Sequence, residues 1–284
     1  MTAAPAAVGV IGGGRMGAGI AQVFAAAGSS VTVVESDAQT AATARNRIAD
    51  GLRQAAQRAR LTEPVEHILA RVSTAESVRD LAPHADLVVE AVPEDAALKI
   101  RLLTEVETVV SAQTVLASNT SSLSIADLAA TLTRPGRFLG MHFFNPVPAS
   151  GLVEIVVPDG TTPETVDRAL GWTRCLGKKD IVVKDSPGFA SSRLGVALGL
   201  EAIRMVEEGV AEPEAIDDAM QLGYRHPMGP LRVTDLVGLD VRLAIAEYLH
   251  ATLGERFAPP RLLREKVASG ELGRKTGQGF YPWH

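Results

Sequence analysis

Val8-Gly9-Val10-Ile11-Gly12-Gly13-Gly14-Arg15-Met16-Gly17-Ala18-Gly19 begins as an apolar run and passes through clustered glycines into a helical pattern that lasts to Gly28. Val31-Thr32-Val33-Val34 is a second apolar run, closed by Glu35. The order is strand, glycine turn, helix, strand, acid, which is the unit that holds a dinucleotide. Gly12 allows a sharp turn out of the first strand. Gly14 removes a side chain where backbone must approach a pyrophosphate, and Gly17 lets the helix lie close to the strand. The helix N-terminus offers N–H groups and a partial positive charge to phosphates. Glu35 can accept hydrogen bonds from both ribose hydroxyls and would repel a 2′-phosphate, which favours NAD over NADP. Arg15 argues the other way, but less strongly than Glu35.

Strands and helices keep alternating beyond this unit. A long polar helix is expected from Asp37 to Leu61, with Ala41, Ala44, Ile48 and Leu52 at helical spacing. Its other positions carry Arg45, Arg47, Arg53, Arg58 and Arg60. That pattern reads either as a solvated basic face or as a patch for an anionic substrate handle. Strands are expected at Arg71–Thr74, Asp86–Val92, Val115–Ser118, Phe138–Phe144, Leu152–Val157 and Ile181–Val183, and Pro93-Glu94 is expected to open a helix. The polar turn Asn119-Thr120-Ser121-Ser122 follows a buried strand, on the side of an open α/β sheet where ligands bind. A hairpin centred on Pro148 would set His142 directly opposite Glu154. Imidazole titrates near neutrality, and a facing carboxylate would fix its tautomer, so this pair is a candidate proton-transfer site. A hydrogen-bonded structural histidine is the plainer alternative.

From Pro187 onward the sequence shows helices and no convincing strand. Val196, Leu200, Ile203, Val206 and Val210 fall on one helical face, and Leu194, Leu198 and Met205 widen it. A helix so broadly apolar needs covering on more than one side. Further helices are expected near 213–222, 230–253 and 259–269. The expected architecture is α/β: a Rossmann-type, doubly wound, largely parallel sheet over residues 1–186, then a smaller all-α domain over 187–284.

The 284 residues allow one to two domains, and an apolar content of 46% suits a sizeable core. A net charge of −5 gives no electrostatic case for nucleic acid or an anionic membrane as partner. Cys175 is the sole cysteine, which excludes an internal disulfide and a cysteine-rich metal site; no metal is expected. Met1-Thr2-Ala3-Ala4-Pro5 lacks the basic and apolar segments of a signal peptide, and no run of about twenty apolar residues occurs. A cytoplasmic location is expected.

The chain resembles the L-3-hydroxyacyl-CoA dehydrogenase family, including the bacterial 3-hydroxybutyryl-CoA dehydrogenases. The resemblance rests on the glycine turn through Ala21, on Ala117–Leu123, on His142–Pro148 and on Leu152–Ile155. It continues through Asp185-Ser186-Pro187-Gly188-Phe189, His226–Pro230, Asp235–Asp240 and Gly273–Tyr281, in order over nearly the whole chain. It implies oxidation of a 3-hydroxyacyl-CoA by hydride transfer to NAD, or the reverse reduction, in a homodimer built through the helical domain. It implies His142 as general base, Glu154 orienting it, and Ser121 hydrogen-bonding the reacting oxygen and touching both the nicotinamide and the CoA substrate. The implied NAD site comprises Gly12, Gly13, Gly14, Arg15, Met16, Gly17, Glu35, Glu94, Lys99, Ser121, Asn145 and Lys275.

Three departures stand out. Ser192 occupies the place of a family Asn that contacts the substrate oxygen, and a hydroxyl there can still donate. Ala149-Ser150-Gly151 stands where a Met-Lys pair is common. Of two positions expected to hold the CoA nucleotide, Arg58 keeps its charge but Gly51 is not a hydroxyl residue. These departures keep open a same-fold NAD dehydrogenase of a free hydroxy acid or sugar acid, similar to the gulonate dehydrogenases. A non-catalytic NAD-binding protein is a third reading.

Overall fold

The computed structural model describes residues 3–283; Met1 and Thr2, read above for leader character, and His284 lie outside the described residues. The chain divides into two compact units between Asp185 and Ser186. The first contains one eight-stranded sheet. Its strands are β1 (Ala7–Ile11), β2 (Ser30–Val34), β3 (Val72–Ala75), β4 (Leu87–Glu90), β5 (Val115–Ser118), β6 (Phe138–Phe143), β7 (Leu152–Val157) and β8 (Lys179–Lys184). They lie in the order β3-β2-β1-β4-β5-β6-β7-β8. Strands β1 to β6 run parallel, β7 is antiparallel to β6, and β8 is parallel to β7. The first six follow the Rossmann order, with the switch point beside β1. Val10, Val33, Leu87, Val89 and Val115 are fully buried, as strands covered on both faces require.

The connecting helices are α1 (Arg15–Ala26), α2 (Ala38–Gln57), α3 (Val65–Leu69), α4 (Ala96–Val109), α5 (Ile125–Ala129) and α6 (Pro163–Cys175). Two sequence expectations need correction. The long polar helix stops at Gln57, four residues short of Leu61; Ala59, at φ +52°, takes the left-handed turn that ends it. Pro93-Glu94 does not open α4. Asp95 does so, its carboxylate accepting the Leu98 amide at 2.9 Å. Glu94 is thereby left in a turn at the sheet's carboxyl edge.

The second unit is helical: α7 (Ser191–Glu207), α8 (Pro213–Asp218), α9 (Pro230–Val237), α10 (Leu239–Leu253) and α11 (Arg261–Ala268). Val196, Leu200 and Ile203 of α7 are buried, whereas Val210 lies beyond the helix and is 59% exposed. The helix expected over 230–253 is two helices. Gly238, at φ +104°, breaks it, a conformation open to glycine and strained for other residues. Among the described residues no helix is long and apolar enough to cross a membrane.

Candidate active site

The glycine turn is built as its spacing requires. Gly12 has φ +90° and leaves β1 sharply. A Cβ on Gly17 would stand 1.8 Å from the Gly12 carbonyl oxygen, so any side chain there would push α1 off the strand. Gly14, at the head of α1, has nothing within 4 Å of a would-be Cβ. That open approach, bounded by the α1 N-terminus, fits a diphosphate. Glu35, just past β2, accepts the Gly13 amide at 2.6 Å. Arg47 donates to the Gly13 carbonyl at 2.9 Å, so the turn is tied on both sides. Arg15 is exposed and Met16 half-buried on the first turn of α1.

A buried ionic cluster stands at the ends of β4 and β5. Glu90 closes β4 with 0% exposure, and Lys99 of α4 is 1% exposed. The Lys99 ammonium donates to Glu90 Oε1 at 2.7 Å and to the Val92 carbonyl at 3.2 Å, and it lies 3.2 Å from Glu94 Oε2. Glu90 also accepts the Ser118 hydroxyl at 2.6 Å and the Val92 amide at 2.8 Å. Glu94 gathers the loop after β5: it accepts the Ser121 amide and the Ser122 hydroxyl, both at 3.0 Å, and the Thr120 hydroxyl. Burial works to raise the Glu94 carboxyl, but Lys99, Thr120 and Ser121 outweigh it and hold the group below the usual carboxylate range. Glu90 escaped the sequence reading. The signal was present: an acid closing a fully apolar strand must find a cation, and Lys99 follows one helical entry later.

His142 and Glu154 are paired across the β6–β7 hairpin, whose register centres on Pro148. His142 Nδ1 lies 2.7 Å from Glu154 Oε2, with Glu154 fully buried and His142 6% exposed. A carboxylate on Nδ1 fixes that nitrogen as the N–H donor and assigns proton exchange to Nε2. Asn119 Oδ1 accepts the Phe143 amide at 2.9 Å and so locks the end of β6 to the loop that carries Ser121. The turn with Asn145 is pinned by buried Lys178, which donates to the carbonyls of Val147 at 2.6 Å and Ser150 at 2.5 Å. Asn145 itself is exposed.

The carboxyl edge of one sheet thus collects a glycine turn at a helix N-terminus, an acid at the end of β2, an ordered serine loop and a histidine–glutamate pair. The family comparison decides what that set belongs to. Residues 7–186 match the family model described as 3-hydroxyacyl-CoA dehydrogenase, NAD binding domain, and residues 188–283 match the C-terminal domain of the same enzyme. The chain belongs to the 3-hydroxyacyl-CoA dehydrogenase family. A probable 3-hydroxybutyryl-CoA dehydrogenase of Deinococcus radiodurans is 44% identical over 276 residues, 97% of this chain and 99% of the relative. The crystal structure of M. tuberculosis FadB2 superposes with a TM-score of 0.95 at 42% identity, covering 99% of this chain and 100% of that one. The (S)-3-hydroxybutyryl-CoA dehydrogenase PaaH1 of Ralstonia eutropha gives 0.94 at 40% identity, over 99% and 100% of the two chains.

Other residues that the 3-hydroxyacyl-CoA dehydrogenase resemblance singled out are placed as follows. Arg58 is exposed at the C-terminal end of α2. Gly51 has a packing reason: a Cβ there would meet the amide oxygen of buried Gln22 at 2.3 Å. In the helical unit, Ser192 sits in the first turn of α7, half-buried. Lys275 pairs with both oxygens of Asp240 at 2.6 Å, at 45% exposure. Arg45, Arg47 and Arg53 donate to Val72, Gly13 and Asp50, so much of the basic face of α2 is engaged within the chain.

Proposed function

We propose that this member of the 3-hydroxyacyl-CoA dehydrogenase family works as an NAD-dependent enzyme on the 3-hydroxyl of an acyl-CoA, with His142 as general base and Glu154 as the group that orients it. The observation that carries the assignment is the 2.7 Å contact from His142 Nδ1 to a fully buried carboxylate at the carboxyl edge of a dinucleotide-binding sheet. When bound, NAD supplies the hydride acceptor. His142 Nε2 takes the hydroxyl proton as the C3 hydrogen leaves as hydride, and Glu154 stabilises the imidazolium that results. In reduction the same nitrogen returns the proton to the alkoxide oxygen.

Ser121 steadies the reacting oxygen through its hydroxyl, held in place by the Glu94 contact to its amide, and Ser192 contributes a second hydroxyl from α7. Gly12 to Gly17, Arg15 and Met16 included, receive the diphosphate, and Glu35 receives the adenosine ribose. Glu94, Asn145 and Lys275 complete the cofactor site. Lys99 acts through Glu94, because its ammonium is already surrounded. Arg58 receives the phosphates of CoA.

A homodimer through the helical unit fits the same reading. Leu194 is 71% exposed, Val237 44% and Val241 41%, and a second copy is the occupant that would cover them. A cytoplasmic location accords with a chain containing a single cysteine. NADH oxidation with acetoacetyl-CoA, beside free acetoacetate and with NADPH as a control, tests the assignment. Turnover of the thioester with NADH alone is expected. Turnover of free acetoacetate in preference would favour the hydroxy-acid reading, and NADH binding without any turnover would favour the non-catalytic one.

A further inference from the structure

Arg242 of α10 is buried, at 4% exposure, and its Nε has no hydrogen-bond acceptor among the described residues. Burial alone lowers its guanidinium, to about 10, and no acid among the described residues contributes. The group is therefore still a cation at neutral pH. A buried cation without an anion is strongly unfavourable, so such sites are completed by a partner.

The guanidinium lies along one face of α7. A Cβ on Gly199 would meet Nε at 3.6 Å, and one on Gly195 would meet Nη1 at 3.5 Å. The group therefore points from Gly199 toward Gly195, that is, toward the N-terminus of α7. At Gly199 the space is closed by Thr234 Oγ1, 3.1 Å from the would-be Cβ. At Gly195, among the described residues and apart from α7's own backbone, Nη1 is the one atom within 4 Å of a would-be Cβ, so a slot with room for at least a Cβ stays open beside the cation. Glycine within a helix is unfavourable, and here it makes that slot. Ser192 stands one turn before Gly195 on the same face, with Cβ positions about 6 Å apart. The N-terminal end of α7 adds its own partial positive charge.

We infer that Arg242 and the Gly195 slot form a subsite for a carboxylate at the far end of the substrate's acyl chain. The inference rests on the reading that Ser192 meets the substrate's 3-oxygen; a chain running from that oxygen along α7 reaches the slot within a few carbons. Guanidinium and carboxylate match as a bidentate pair, which a methyl terminus cannot form. The substrate class is thereby narrowed to thioesters of dicarboxylic 3-hydroxy acids.

The test is a ratio of specificity constants with NADH: 3-oxoadipyl-CoA against 3-oxohexanoyl-CoA, equal in chain length and differing in terminal charge. The expected ratio is about tenfold or more in favour of the carboxylate, and Arg242→Met brings it to about one. Gly195→Leu, which fills the slot and leaves Arg242 in place, should lower the ratio as well and carries the test should Arg242→Met not fold. Equal constants in the unaltered enzyme overturn the inference and leave the thioester reading intact. An Arg242→Met enzyme that keeps the ratio but loses its dimer also overturns it, and assigns the cation to the second copy. Turnover of neither thioester overturns the function reading and this inference together.

Discussion

His142 and Glu154 form a unit because a carboxylate with no exposure lies 2.7 Å from the imidazole and fixes its orientation. His142→Gln should lower kcat by about 10²- to 10⁴-fold, the usual contribution of a positioned acid–base group. Glu154→Gln should lower it less, and should add nothing in the His142→Gln background, since it acts through the imidazole. Steady-state kinetics of the four-enzyme cycle decide this; independent, multiplying losses would show that Glu154 acts elsewhere. The pairing was legible in the sequence only through the assumption of a hairpin centred on Pro148, because both strands are apolar on both faces and do not fix a register themselves. The meaning of Gly51 was not legible there. Its vacancy reads from sequence as a lost hydroxyl contact to CoA, yet the space is filled by Gln22, which contacts it from another helix. Gly51→Ser should therefore destabilise by about 1–3 kcal/mol through overpacking, seen as a lower urea midpoint. A Gly51→Ser protein of unchanged stability with a lower KM for the thioester would sink the packing account.

Among the elements, the ends of β4 and β5 are held by ions rather than by apolar packing. Lys99 ties Glu90, inside the sheet, to Glu94, in the turn before α4, and Glu94 in turn holds residues 120–122. Removing one member of a buried pair costs about 3–5 kcal/mol, because the other charge is left behind. Lys99→Met should fall in that range by denaturant unfolding and should weaken NADH binding, since Glu94 and its loop lose their anchor. Glu90→Gln with Lys99→Met, which removes both charges of the buried pair between β4 and α4, should recover much of the stability. A Lys99→Met enzyme as stable as the parent would mean that the ammonium is dispensable. The sheet itself was readable from continuous apolar runs and turn signals. This cluster was not, because hydrophobic periodicity records where a lysine falls on a helix and not which carboxylate it meets. The break at Gly238 was missed for a related reason: the apolar pattern continues from α9 into α10, and a lone glycine inside a helical pattern is often tolerated.

At the scale of the whole chain, two compact units follow from one change in pattern near Ser186, where strand–helix alternation gives way to helices. The first unit relies on carboxylates that serve as acceptors for backbone amides. Glu107 of α4 accepts the amides of Thr133 at 2.8 Å and Arg134 at 2.7 Å, and it binds the Arg134 side chain. Burial works to raise its carboxyl, but the Thr133 and Arg134 donors prevail and hold it below its ordinary value of 4.5. Glu94 is lowered in the same sense. A carboxyl whose folded pKa lies below its unfolded value adds stability in full above the unfolded value and loses it as pH falls through the folded one. Stability of this unit should accordingly be level between about pH 7 and 5 and decline from about pH 4.5 downward. Glu107→Gln removes one of the titrating acceptors. It should lower the melting temperature at pH 7, where each charged hydrogen bond contributes about 1.5–3 kcal/mol, and make the decline below pH 4.5 shallower. Thermal melts of both proteins at pH 7, 5, 4 and 3 compare the slopes. An equally steep acid decline in the Glu107→Gln protein would place the acid sensitivity in other carboxylates.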